Sequence, residues 1–373
     1  MALLDTTSPA TSERSSTPKL TRSERLRLAG MAAVVLGLLG LGAALLAAAS
    51  PHHYRVSKTE VFGMGTGLLA LTLGMRHAFD ADHIAAIDNT TRKLMSEGRR
   101  PMSVGFFFSL GHSSVVFVLT VLLGLGLRGL GSQLAASGSS LHRVTSLVGS
   151  SISGLFLYLI AAINIVLLLS LLRAFSELRA GRYDEDEIER RLAQRGLMNR
   201  LLGSVAQRVD EPWKMYPVGL LFGLGFDTAT EVGLLVLSGT AVASGLPFWA
   251  ILSLPLLFAG GMSLLDTIDG CFMNFAYGWA FASPVRKIYY NLVITGLSVG
   301  VALLIGSIEL FGLLGSELKL HGLLFDAVSR IDINTAGFVV VGLFVLTWAA
   351  ALLIWRVAGI EQRFGSATER GAD

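Results

Sequence analysis

Residues 76 to 89 read RHAFDADHIAAIDN and put Arg76, His77, Asp80, Asp82, His83 and Asp88 on one short segment. The fifteen residues before it, VFGMGTGLLALTLGM, carry no charge at all and have the composition of a membrane helix interior. Each ionisable group at membrane depth costs on the order of 2.5–3.5 kcal/mol on insertion scales, and such groups commonly mark an ion pathway. A knot of internal ion pairs does not explain the segment, because one guanidinium cannot neutralise three carboxylates. A bound divalent cation supplies the missing charge.

Three further apolar stretches carry polar groups. FFFSLGHSSVV contains His112, with Ser109, Ser113 and Ser114 around it. LGFDTATEVGLL sets Asp227 and Glu231 one turn apart, with Thr228 and Thr230 between them. GGMSLLDTIDG carries Ser263, Asp266 and Asp269 at i, i+3 and i+6. Asn89 closes the first block, and Asn164 stands alone in AAINIVLLL. Each has a structural alternative: Asn164 as an interhelical hydrogen-bond group, His112 as a packed histidine, and Asp266 and Asp269 as interfacial partners of Arg286 or Lys287. Asp227 and Glu231 have no basic neighbour in sequence.

Imidazoles and carboxylates together suit borderline first-row divalent ions such as nickel, cobalt or zinc. Magnesium and calcium prefer oxygen alone, and copper(I) prefers sulfur. The single cysteine, Cys271, provides no thiolate cluster and no intrachain disulfide. On an ideal helix His77, Asp80 and Asp88 share an arc of about 80°. His83 lies at its edge and Asp82 points away, so the segment is either unwound, a change Gly74 would ease, or two-faced.

These groups need helices to position them. Of 373 residues 52% are hydrophobic and only 15% charged, against about a quarter charged in soluble domains. Apolar runs fall at 29–50, 61–87, 101–127, 145–172, 216–243, 247–269, 288–312 and 336–355. The expectation is an all-α polytopic membrane protein with about eight transmembrane helices in a lipid bilayer, filling residues 29–356. The first run is longer than a signal-peptide core and reads as an uncleaved anchor. Residues 1–28 read as a disordered tail, 357–373 as a C-terminal tail, and 173–214 as a charged loop whose DEDEIERRLAQRG forms a solvated helix. Alternate inter-helix segments hold 23 Lys and Arg against 6. The positive-inside rule therefore puts both termini and the charged loop in the cytoplasm. Phe79-Asp80 and Phe226-Asp227 align, and FFSLGHS corresponds with LFAGGMS, which hints at an inverted repeat around a central site.

Together the four blocks, with the HX4DH core His77, Asp82 and His83, resemble the nickel/cobalt transporter family of single-component bacterial permeases. The resemblance covers about residues 29 to 356. It implies an eight-helix permease of the bacterial inner membrane that imports Ni(II) or Co(II). It also promotes Asp82, which the helical wheel disfavours, to a leading ligand or relay candidate beside His77 and His83. The expected metal site then draws on His77, Asp80, Asp82, His83, Asp88, His112, Asp227, Glu231, Asp266 and Asp269. Arg76, Asn89, Ser113, Asn164, Thr228, Thr230 and Ser263 are its polar support.

Nickel or cobalt is expected as cargo, with no fixed cofactor and no nucleic-acid partner. The chain contains no G-x-x-x-x-G-K-[ST], and no ATPase subunit is evident. Efflux by the same ligands is the alternative, against which stands the absence of a long His-rich loop. A proton-conducting or metal-sensing protein is a further rival. An intramembrane metalloenzyme is disfavoured, since H-E-x-x-H is missing and His77 and His83 stand six apart rather than four.

Overall fold

A computed structural model describes residues 20–55, 61–125, 139–179, 209–225, 228–280, 284–320 and 333–358, with isolated positions at 322, 325, 327 and 331. Its helices are α1 (Arg22–Ala49), α2 (Met64–His77), α3 (Ala81–Ser96), α4 (Val104–Gly124), α5 (Ser140–Arg179) and α6 (Met215–Phe222). They continue with α7 (Ala229–Ala243), α8 (Phe248–Ile251), α9 (Ser253–Ala280), α10 (Pro284–Leu318) and α11 (Ile333–Ala358). The architecture is all-α and polytopic, and helix covers most of the described residues of every apolar run. Among the described residues five spans are long and apolar enough to cross a membrane: Arg22–His52, Val104–Gly124, Arg143–Val166, Phe248–Phe275 and Leu292–Leu318.

Two expected spans are not continuous. The run 61–87 is divided into α2 and α3 by a turn at Ala78 and Phe79, and 216–243 into α6 and α7. The ideal-helix wheel drawn through residues 77 to 88 therefore does not apply, because the turn resets the phase between His77 and His83. The helix α1 begins at Arg22, inside the stretch expected to be tail. Thr21 and Glu24 form a capping box there, with Thr21 N–H donating to Glu24 at 2.7 Å and Glu24 N–H to Thr21 Oγ1 at 3.2 Å. The sequence DEDEIERRLAQRG, expected as a solvated helix, lies outside the described residues.

The interior is organised around α3, which packs against α4, α5, α9, α10 and α11. Outside it the long helices pair, α10 with α5 and α9 with α1, α2 and α4, while α6 lies along α4. Backbones approach closely where glycine permits, as is usual for helices in lipid. A Cβ at Gly74 of α2 would stand 2.1 Å from the Phe258 carbonyl oxygen of α9. A Cβ at Gly219 of α6 would stand 2.0 Å from the Phe108 carbonyl oxygen of α4. The same contact is thus made twice, each time by the first half of a broken helix, and Phe108 and Phe258 are the residues that the internal sequence match pairs.

Candidate metal centre

The site forms where the two broken helices meet. The helix α2 ends with Phe79 N–H donating to the Arg76 carbonyl at 3.0 Å and Asp80 N–H to that of His77 at 2.9 Å. Asp80, extended at φ −64° and ψ 140°, then starts α3. An aspartate there ordinarily caps the new helix with its carboxylate, but this side chain makes no such bond. It turns to His77 instead, with Oδ2 at 2.7 Å from Nδ1. Thr228, the residue preceding α7, likewise makes no capping bond. Its hydroxyl lies 3.5 Å from His77 Nδ1 and donates to Glu231 Oε2 at 3.4 Å. At both breaks a group suited to closing a helix is spent on the site.

His77, His83 and His112 are all buried, with one nitrogen of each within 4.8 Å of the others. His77 Nε2 is 2.8 Å from His112 Nε2, which is 2.7 Å from Glu231 Oε1, and His77 Nε2 is 3.7 Å from that oxygen. A triangle with these sides has a circumscribed radius of about 1.9 Å, just under the ~2.0–2.2 Å of first-row metal bonds to imidazole and carboxylate. One ion can therefore bond all three atoms from roughly 1 Å above their plane.

Asp80 helps prepare this arrangement. Bonded to Nδ1, it favours the tautomer with its proton there, which leaves Nε2 as a lone-pair donor. Thr230 Oγ1 reinforces the same nitrogen from 3.0 Å. His83 closes the cluster, with ring centroids 4.6 Å from His77 and 4.7 Å from His112. Among the described residues neither of its nitrogens has a hydrogen-bond partner, and Asp266 Oδ2 lies 3.5 Å from Nδ1. A fully buried imidazole without hydrogen bonds is costly unless it has another role, and ligation supplies one. Phe108 packs on His83 and Phe258 on His77, with centroids 4.8 and 5.7 Å away, and both shield the cluster.

The other expected residues separate. Asp82 is half-buried in the first turn of α3, one residue and so about 100° from His83, and is not one of the converging ligands. Asp88 lies deeper, accepting from Ser298 at 2.5 Å with an Arg92 nitrogen at 3.5 Å. Asn89 accepts from Asn164 at 2.8 Å, so Asn164 acts as the interhelical group that its structural alternative describes. Ser113 donates to the Ser109 carbonyl of its own helix. Arg76 is exposed. Asp266 and Ser263 are buried and Asp269 is partly buried, and Asp266 faces His83 of the cluster. Asp227 lies outside the described residues.

Sequence reasoning missed Arg92, counted there as a loop charge. It is buried and donates to Thr295 at 3.2 Å and Ser298 at 2.7 Å on α10. The i, i+4 spacing of Asp88 and Arg92 was the available signal.

Comparison with known proteins agrees with this chemistry. A family model described as high-affinity nickel-transport protein matches residues 63–354. The nickel transporter NicT of Mycobacterium tuberculosis is 56% identical over 352 residues, covering 94% of both chains. The nickel transporter NixA of Staphylococcus aureus is 45% identical, over 92% of this chain and 98% of its own. The cobalt transport protein NhlF of Rhodococcus rhodochrous is 43% identical, over 89% and 93%. No solved structure matches the chain.

Proposed function

We propose that this chain, which belongs to the high-affinity nickel-transport protein family, takes up Ni(II) or Co(II) through the histidine cluster at the junction of its broken helices. The observation that carries the reading is the convergence of His77 Nε2, His112 Nε2 and Glu231 Oε1 on a point at bonding distance for one ion. His83 and Asp266 complete the cluster, and Asp80 and Thr230 hold His77 in its ligating form.

Both breaks favour a cation. The helices α2 and α6 bring their C-terminal, partially negative ends to the site. Asp82 and Glu231 lie in the first turns of α3 and α7, where they offset the positive ends. Imidazole binds metal only when neutral, so protons and metal compete for the site and proton uptake can favour release.

On this reading the multi-pass protein sits in the bacterial inner membrane with both termini in the cytoplasm, an orientation that the distribution of Lys and Arg supports. An inside-negative potential contributes about 4.6 kcal/mol per 100 mV to entry of a divalent ion. This favours uptake over efflux, and the metal is cargo, not the cofactor of a reaction.

The test is radiolabelled nickel and cobalt accumulation in cells carrying His77→Ala or His112→Ala at abundance matched to wild type. Both variants should lose accumulation. Wild-type uptake by either refutes the site, and greater resistance to toxic nickel in cells expressing wild type refutes the direction.

A further inference from the structure

We infer that Gly337 and Phe338 of α11 position the metal centre by clamping the turn between α2 and α3. Neither residue belongs to a polar block or contributes a ligand. The inference rests on reading the histidine cluster as the site of transport.

The cluster takes ligands from both sides of one interruption, His77 before it and His83 after it. Their relative placement depends on the backbone of Ala78, Phe79 and Asp80, and α11 lies directly on that backbone. A Cβ at Gly337 would stand 1.6 Å from the Phe79 carbonyl oxygen, 2.8 Å from its carbonyl carbon and 3.2 Å from Ala81 N. Gly337 is buried, and the next residue, Phe338, stacks its ring on Phe79 with centroids 5.2 Å apart and 25° between planes. Backbone and ring thus grip the same residue from the same helix.

The opposing atom is a main-chain oxygen, so no rotamer change relieves a side chain at 337. Restoring ordinary contact requires the turn and α11 to separate by about 1.8 Å, given the 1.6 Å approach. Coordination tolerates only ~0.2 Å in bond length. A functional constellation is held to about 0.5 Å by its supporting shell. The expected result is a folded protein whose imidazoles no longer meet at one point.

Gly342 supplies the control on the same helix, because a Cβ there meets nothing within 4 Å. The experiment compares Gly337→Ala, Gly342→Ala and Phe338→Leu in the full-length chain. It measures membrane abundance, the KM and maximal rate of radiolabelled nickel uptake, and inhibition of that uptake by cobalt. Gly337→Ala should reach the membrane with KM raised roughly tenfold to hundredfold, the range for changes in a metal's supporting shell, and with an altered nickel-to-cobalt preference. Phe338→Leu should shift both in the same direction by a smaller factor, and Gly342→Ala should match wild type. A fault of folding alone lowers abundance and maximal rate but leaves KM and metal preference unchanged.

Wild-type KM and preference in Gly337→Ala overturn the inference. If that variant does not accumulate, Phe338→Leu decides, and wild-type behaviour there overturns it equally. Uptake surviving in His77→Ala refutes the metal-centre reading instead, whatever the α11 variants do.

Discussion

Replacing Asp80 by Asn separates the two tasks this carboxylate performs. Its Oδ2 accepts from His77 Nδ1 at 2.7 Å, and an amide oxygen can accept the same bond, so the tautomer survives and only the charge is lost. That charge stands roughly 6–7 Å from an ion at the convergence point, across one hydrogen bond, one imidazole ring and one coordination bond of ~2.1 Å. With a divalent ion the lost attraction is about 1.3 kcal/mol even at the dielectric constant of water, or roughly tenfold in Kd. Lower polarity in the buried site enlarges it. Asp80→Ala also releases the tautomer and should reach the upper part of the ten- to hundredfold range for such partners. Titration of nickel into purified protein, beside the KM of uptake, measures both. Equal, wild-type affinities in the two variants would refute the argument that Asp80 acts on the metal through His77.

Two other predictions follow from the polar groups. Acidifying the external medium should raise the KM for nickel, because protons compete for the imidazoles; a KM that is flat across the range where histidine titrates argues against imidazole ligation. Arg92→Met should leave the buried Asp88 without this opposite charge and cost about 3–5 kcal/mol, read as reduced thermal stability in detergent; Asp88→Asn with Arg92→Met should restore part of the stability and retain nickel uptake, and loss of uptake in that double variant would tie Asp88 to the metal rather than to the scaffold.

What the sequence revealed follows from the rarity of ionisable groups in apolar surroundings. Glu231 stands out because no basic residue near it in sequence accounts for its cost, and His77, His83 and His112 because imidazoles are rare in apolar runs; the structure brings these four together. Charge counting pointed to a cation, but residue counting could not show which atoms reach it. The helical wheel, drawn for one continuous helix, left two readings, an unwound segment or a two-faced one, and the turn at Ala78 and Phe79 selects the first while falling four residues beyond Gly74, the glycine that signalled it. Asp88 looked like a ligand because its partner, Arg92, lies in a segment that composition assigns to a loop. Gly337 was invisible: a glycine among apolar residues has no signature until another backbone is found against it.

The broken helices also bear on how the protein enters its membrane. The helix α2 has 14 residues and α7 has 15, or about 21–23 Å each at 1.5 Å per residue, too short for the ~30 Å hydrocarbon layer. Neither can be threaded alone, so each must be inserted together with the half that adjoins it. The three imidazoles emerge early from the ribosome, whereas Glu231 and the shielding Phe258 come more than a hundred residues after His112. A nascent chain therefore carries the three imidazoles well before it has Glu231 and the half of the apolar cover that Phe258 provides. On the proposed reading, the metal centre is accordingly complete only once α7 and α9 have joined the bundle.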